Sequence, residues 1–262
     1  MKFAYFPGCT LKNKAKDLDT YARKSAAKLG VELCELDDFQ CCGGVYGTGA
    51  NDVATKLASV RALKASEELG LVTVCSACHN VIKQTNERIK SDGAFASKVN
   101  LYMSQNKDFA GDYNGQTEVI HFLELLRDKV GFDKIKEAVV NPLKGKKIGA
   151  YYGCLLLRPS KVMAFDDPEN PTIIEDFIRA LGAEPVIYAK RNECCGGYVV
   201  LEDKDAAKKN SLGVIDNAKA MGAEMIVTAC PLCRYNLQKS GGELPVVYIT
   251  ELLAEALGVK ED

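Results

Sequence analysis

Short apolar runs and amphipathic stretches alternate along the chain, and the series is played twice. Phe3–Phe6 and Ile148–Tyr152 are brief apolar runs, and each leads into Gly-Cys. An amphipathic period follows (about Leu18–Leu29, about Ile173–Leu181), and a second apolar stretch leads to Cys-Cys-Gly-Gly. Next comes a long helical pattern, about Val53–Glu68 in one copy and Lys204–Met221 in the other. Leu57, Val60, Ala62, Leu63 and Leu69 form its apolar face in the first copy. A β-branched run (Leu71–Val74, Met225–Thr228) then meets Cys-x-x-Cys, and a further helix is expected over His79–Ile89. Strands alternating with helices predict a parallel α/β architecture. Ligands in such folds sit in loops at the carboxyl ends of the strands, which is where the cysteines fall.

The repeat is residue-specific. Cys9 answers to Cys154, Cys41-Cys42 to Cys194-Cys195, and Cys75 and Cys78 to Cys230 and Cys233. Glu118–Leu126 resembles Pro245–Leu253. The offset is 155 at Cys75 and 127 at Glu118, so the first half carries an insertion of about 28 residues, near 89–116. That stretch is polar and punctuated by glycine, and is expected to be an excursion loop or docking surface. Asn141–Gly145 reads as the connector, which makes the expected units 1–143 and 144–262.

Composition narrows the chemistry. Apolar residues make up 47% and charged residues 26% of 262, the balance of a soluble globular protein. A net charge of −1 gives no electrostatic case for nucleic acid. No apolar run reaches the roughly 18 residues of a membrane span, and the N-terminus lacks a signal core. A cytoplasmic protein is expected, meeting a membrane only through partners. Cysteine is the anomaly: there are eleven, against two histidines. In a reducing compartment, clustered thiols are metal ligands or redox groups, and an all-sulfur donor set favours zinc or iron–sulfur. In Cys-x-x-Cys both sulfurs face one centre, and a helix starting there aims its free amides and positive dipole end at them. Pro231 suits such a first turn. Adjacent cysteines need a turn to converge, and Gly43-Gly44 and Gly196-Gly197 permit one while letting amides approach. Zinc sites and ordinary iron–sulfur clusters take about four ligands, whereas each half offers five. Spacing alone leaves both metals open, and a duplicated structural zinc protein stands as one alternative.

The arrangement resembles the CCG-domain family, over nearly the whole chain and in duplicate. The motifs are Phe6-Pro-Gly-Cys9, Cys41-Cys-Gly-Gly44, Cys75-Ser-Ala-Cys78, Tyr152-Gly-Cys154, Cys194-Cys-Gly-Gly197 and Cys230-Pro-Leu-Cys233. Within that family the chain is similar to the catalytic B subunits of heterodisulfide reductases. Its Cys-Cys-Gly-Gly in both halves looks more like the bacterial homologues than the methanogen ones, which usually carry a longer, proline-containing loop. The resemblance implies two pseudo-symmetric, Rossmann-like CCG repeats, each binding a noncubane 4Fe–4S cluster through five cysteines. Carried over, one cluster takes Cys9, Cys41, Cys42, Cys75 and Cys78, and the other Cys154, Cys194, Cys195, Cys230 and Cys233. It further implies a small disulfide reduced or formed between the clusters by two one-electron transfers. The implied partners are the flavin-containing (A) and ferredoxin-like (C) subunits of a heterodisulfide reductase-type complex, the latter carrying 4Fe–4S clusters. The chain shows no GxGxxG fingerprint, and no flavin or nicotinamide of its own is expected. The competing function is an electron-relay subunit of a dehydrogenase or quinone-linked complex, without its own substrate.

Other residues are weighed on their surroundings. Cys34 has no counterpart and is expected to be a buried strand thiol. His79 follows a ligand cysteine and is a candidate proton donor, although a packing role is the default; His121 matches Tyr248 and is expected to pack. Lys12, Arg158, Lys190 and Arg191 lie near the cysteines and are candidates to offset cluster charge or hold an anionic substrate, with plain surface solvation as the default. Tyr5-Phe6 and Tyr151-Tyr152 are expected in the core, and Lys260–Asp262 to fray.

Overall fold

The computed structural model describes residues 1–37, 40–44, 46–48, 52–105 and 111–261. Among the described residues, eight short strands form two sheets. The first contains β1 (Lys2–Phe6), β2 (Glu32–Glu35), β3 (Leu71–Thr73) and β4 (Val119–His121), in the order β2-β1-β3-β4. The second contains β5 (Lys147–Tyr151), β6 (Glu184–Val186), β7 (Met225–Thr228) and β8 (Val246–Tyr248), in the order β6-β5-β7-β8. Every pairing is parallel: Ala4 pairs with Leu71 and Leu71 with Val119, as Ile148 pairs with Met225 and Ile226 with Val246. The α/β, two-repeat architecture expected from the alternating pattern is thus present. The central strands β1, β3, β5 and β7 are buried along nearly their whole length, which is why they read as continuous apolar runs.

In each sheet the chain leaves the central pair in opposite directions, from β1 to β2 on one side and through β3 to β4 on the other. That reversal opens a crevice at the carboxyl ends of β1 and β3, and of β5 and β7. Gly8-Cys9 and Cys75 follow the first pair, and Gly153-Cys154 and Cys230 the second.

One apolar core runs through both halves, from Phe3, Leu11 and Leu18 to Ile148, Phe177 and Leu253. The halves are also tied together by hydrogen bonds to the backbone. The Tyr248 hydroxyl donates to the carbonyls of Val74 (2.5 Å) and Ala229 (3.0 Å), and Ser76 donates from its amide and its hydroxyl to Ala229 (3.2 and 2.8 Å). The carboxyl ends of β3 and β7 therefore face each other. Each buried, partnered bond contributes about 1 kcal/mol and would cost more if orphaned.

Several local expectations change. The insertion near 89–116 is mostly helical rather than a loop. Ser76–Ser91 and Gly93–Ser104 are helices, and Phe95, Val99 and Met103 of the second are buried. Exposed Leu101 and Tyr102 on the outer side blur that narrow apolar stripe. Asp92 caps the second helix by accepting from the Phe95 amide, and Tyr113 returns to the core to donate to Asn86 (2.5 Å). Residues 106–110 lie outside the described part. The helix expected over Val53–Glu68 begins as a 3-10 turn, Ala54–Lys56, and becomes α-helical over Leu57–Ala65. Leu69 lies past its end and is exposed. Lys260 and Glu261 are tied down, because Lys24 Nζ donates to both carbonyls (3.0 and 3.2 Å); Asp262 lies outside the described residues.

Candidate functional site

Ten of the eleven cysteines gather in two sets. In the first, Cys42 Sγ lies 3.4 Å from Cys78 Sγ, and Cys9 and Cys41 act directly on one another. Cys75 and Cys78 lie under Gly8, where a Cβ would stand 3.1 Å from Cys78 Sγ. In the second set, Cys195 Sγ lies 3.5 Å from Cys233 Sγ, Cys154 and Cys194 bond to each other, and a Cβ at Gly153 would stand 3.3 Å from Cys233 Sγ. Glycine is required at both places, since φ is +85° at Gly8 and +64° at Gly153 and a side chain would fill the cradle. Among the described residues, no group of three His, Cys, Asp or Glu side chains is disposed to hold a single metal ion.

The two sets touch. Cys75 and Cys230 face each other from opposite halves, and each perturbs the other's proton. Burial is graded away from that meeting point. Cys42, Cys75, Cys78, Cys195 and Cys230 are buried, whereas Cys9, Cys41 and Cys194 are exposed.

Local structure favours the thiolate form at Cys42, Cys194 and Cys230. Cys75 and Cys230 cap the helices Ser76–Ser91 and Pro231–Lys239, so free amides point back at them. The Gly196 amide donates to Cys194 Sγ at 3.3 Å, and the Gly43 and Gly44 amides favour the thiolates of Cys41 and Cys42. Within each contact group one thiol loses its proton readily and its neighbour keeps it. Cys42 is drawn down to about 7, first by its hydrogen bond with Cys78, while Cys78 is pushed well up, first by Cys42. Cys194 falls to about 2 through its bond with Cys154, and Cys195 rises to about 12 beside Cys194. Cys230 falls through Cys233 and then Cys75. Thiolate sulfur is the form that ligates metal, so amides and dipoles that stabilise it also lower the cost of binding. Five soft donors per set, cradled by glycine and amide groups, fit an iron–sulfur group.

Comparison with known proteins finds the same duplication. The CCG cysteine-rich domain matches the chain twice, at residues 3–83 and 148–238. The chain belongs to the CCG family. It is 32% identical to the 8-methylmenaquinol:fumarate reductase membrane anchor subunit of Wolinella succinogenes, over 98% of this chain and 93% of that one. It is 30% identical to the B subunit of the ferredoxin/F420H2-dependent CoB-CoM heterodisulfide reductase of Methanosarcina acetivorans, over 100% of this chain and 91% of that one. A solved structure described as a hypothetical protein from Helicobacter pylori superposes with a TM-score of 0.76 at 12% identity, a likeness of fold alone. The chain covers 49% of that structure's length, and 99% of the chain is matched. Among the described residues no helix is long and apolar enough to cross a membrane.

This CCG protein departs from its own symmetry at the flanking residues. His79 is fully buried, with Nδ1 3.0 Å from Thr73 Oγ1, Nε2 3.5 Å from Glu124 Oε2 and its ring against His121. Burial holds it well below its ordinary range, and the neutral ring packs in that pocket. The second half replaces the pair with a charged one, Arg234–Glu251 at 2.8 Å. His121 packs on Phe165, and its Nδ1 accepts from the Leu123 amide to start a helix. Burial takes its pKa from histidine's ordinary 6.5 to about 3. A depressed folded value means that its contribution to stability is full above 6.5 and is lost as pH falls toward 3. Stability should drop by up to about 1.4 kcal/mol per pH unit in that window. Urea unfolding between pH 7 and pH 4 should therefore give a steeper slope for the natural chain than for His121→Phe; parallel slopes would exclude the effect.

The candidate cations are engaged elsewhere. Lys12 pairs with Glu35, Arg158 with Glu169 (2.7 Å) and Lys190 with Glu193 (3.4 Å). Arg191 is buried rather than solvated: its Nε lies 3.1 Å from Glu175, whose carboxylate also accepts from the Tyr152 hydroxyl. Cys34 lies in β2 as expected but is only half-buried, because β2 is an edge strand, and its thiol donates to Glu32 at 3.4 Å.

Two side chains near the thiols are not marked by the sequence pattern. Lys56 is buried, donates to the Tyr46 carbonyl at 2.5 Å, lies over the Tyr46 ring at 4.3 Å and is influenced by Cys42. Tyr198, directly after the second Cys-Cys-Gly-Gly, reaches the first set. The only sequence signal for it is that the first copy has Val45 at the matching place, a residue outside the described part.

Proposed function

We propose that this CCG protein is an iron–sulfur oxidoreductase subunit that reduces or forms a small disulfide between two noncubane 4Fe–4S clusters. Cys9, Cys41, Cys42, Cys75 and Cys78 would hold one cluster, and Cys154, Cys194, Cys195, Cys230 and Cys233 the other. The observation that carries the reading is that two five-thiol sets meet across the pseudo-symmetry axis at Cys75 and Cys230. Ligands that close leave no room for a long relay between the sets, so one small substrate reaches both. When bound, each cluster would supply or accept one electron, matching the two electrons and two protons that turn one disulfide into two thiols. The chain's own part is to hold the sulfurs as thiolates, through helix amino termini and glycine amides, and to bury the meeting point away from water. The electrons would come from partners of the kind inferred from the resemblance, a ferredoxin-like iron–sulfur protein and a flavoprotein, in the cytoplasm.

A second reading is a relay subunit in a quinone-linked complex, with no substrate of its own. The Wolinella relative favours it, since that protein is named as the membrane anchor of an 8-methylmenaquinol:fumarate reductase. Protein purified without oxygen should carry about eight irons and eight sulfides per chain, the content of two four-iron clusters. Its EPR spectrum should change on adding a small thiol or disulfide. Full iron with a spectrum indifferent to both would favour the relay, and zinc without sulfide would remove both redox readings.

A further inference from the structure

Tyr198 is a phenol that stands between the two sets. It comes from the second half, at the N-terminal end of the short 3-10 turn Val199–Leu201. It lines a small cavity of about 20 Å³ together with Cys154, Cys195, Cys230, Leu155 and Leu232. Yet a Cβ at Gly44, in the Cys-Cys-Gly-Gly turn of the other half, would stand 3.8 Å from its hydroxyl. The ring is half-buried, and among the described residues its hydroxyl has no hydrogen-bond partner. Burial first, and then Cys230, Cys75, Cys42 and Cys78, drawn from both sets, keep the proton on its hydroxyl. The repeat supplies no second tyrosine, because in the sequence Val45 follows the first Cys-Cys-Gly-Gly.

We propose that the Tyr198 hydroxyl contacts the substrate, donating a hydrogen bond to a sulfur of the disulfide held between the two sets. The inference rests on the disulfide reading and names the group that recognises the substrate's sulfur. A disulfide sulfur is a weak acceptor and a thiolate is a strong one. The bond therefore strengthens as negative charge develops on that sulfur, the condition under which a contact accelerates a reaction rather than merely tightening binding. Apolar neighbours such as Leu155 and Leu232 keep competing water away from it. A single phenol on one side also makes the two substrate sulfurs inequivalent, so an unsymmetrical disulfide would bind in one preferred orientation.

The test is Tyr198→Phe, which keeps the ring and removes only the hydroxyl. Anaerobically purified wild-type and variant proteins are titrated with 2-mercaptoethanol while the EPR spectrum is followed. Iron, sulfide, thermal unfolding and thiol-free reduction potentials are measured on the same samples. The expected result is an affinity for the thiol weakened about tenfold, and a kcat/KM for 2-hydroxyethyl disulfide lowered about ten- to hundredfold, with cluster content and thiol-free potentials unchanged. Unchanged thiol affinity would overturn the proposal. So would shifted thiol-free potentials with unchanged affinity, since the hydroxyl would then serve a cluster and not the substrate. A wild-type protein that binds neither probe would instead remove the disulfide reading itself, which separates the two failures.

Discussion

Cys195→Ser is expected to cost the protein the iron of one cluster and to leave the other intact. Cys195 is buried, and its sulfur partners are Cys233 at 3.5 Å, Cys194 and Cys230, all in the second set. A serine hydroxyl is harder, and at neutral pH it stays protonated where a thiol can ionise, so it replaces a bridging or terminal thiolate poorly. The first set stands on different loops and helices, and it touches the second through Cys75 and Cys230 rather than through Cys195. Iron and sulfide should fall from about eight to about four per chain, with one EPR signal lost and one retained. The reciprocal variant, Cys42→Ser, should remove the other signal, because Cys42 contacts Cys78 at 3.4 Å. Full iron in either variant would count against five ligands per set. Loss of all iron from both would mean that the two sites assemble only together.

Gly196→Ala should be among the most damaging single substitutions that leave every cysteine in place. Gly196 has φ +79°, and a Cβ there would stand 2.7 Å from Ala207 Cα and 3.1 Å from Ala207 Cβ. Those atoms belong to the Lys204–Ala220 helix, so the loop must lift rather than a side chain rotate. Lifting also strains the 2.8 Å bond from Ser211 Oγ to the Cys195 carbonyl, which pins the loop to that helix. The left-handed φ alone costs alanine about 1–2 kcal/mol, and a backbone clash brings the total to about 3 kcal/mol or more. Gly43 is the natural control. Its φ is +89°, but the nearest neighbour to a Cβ is Thr55 O at 3.3 Å, so Gly43→Ala should lose about 1–2 kcal/mol. Chemical unfolding of the two variants, with iron content alongside, makes the comparison. Equal losses would show that φ matters and the contact with Ala207 does not.

The candidate ligands were legible because the chain states them twice. Cys9, Cys41-Cys42 and Cys75–Cys78 recur in the same order as Cys154, Cys194-Cys195 and Cys230–Cys233, and no core-packing pattern produces that spacing by itself. The strands were legible for a simpler reason: a strand covered on both faces must be largely apolar, and β1, β3, β5 and β7 are, apart from the terminal Lys2, Thr73, Lys147 and Thr228. The second helix of the insertion, Gly93–Ser104, was not legible, although the one before it was expected over His79–Ile89. Only Phe95, Val99 and Met103 of it are buried, a narrow stripe blurred by the exposed Leu101 and Tyr102.

Sequence by itself determined the duplicated α/β fold, the two sets of five thiols and the glycines that permit the Cys-Cys turns, because each depends on local pattern and spacing. Tertiary structure alone decided how the sets relate. Cys75 and Cys230 meet because the carboxyl ends of β3 and β7 are bonded together through Tyr248 and Ser76, a closure between segments far apart in the chain. The same closure carries Tyr198 across to the opposite set. Those placements depend on which surfaces the two halves bury against each other, and periodicity within either half holds no record of that choice.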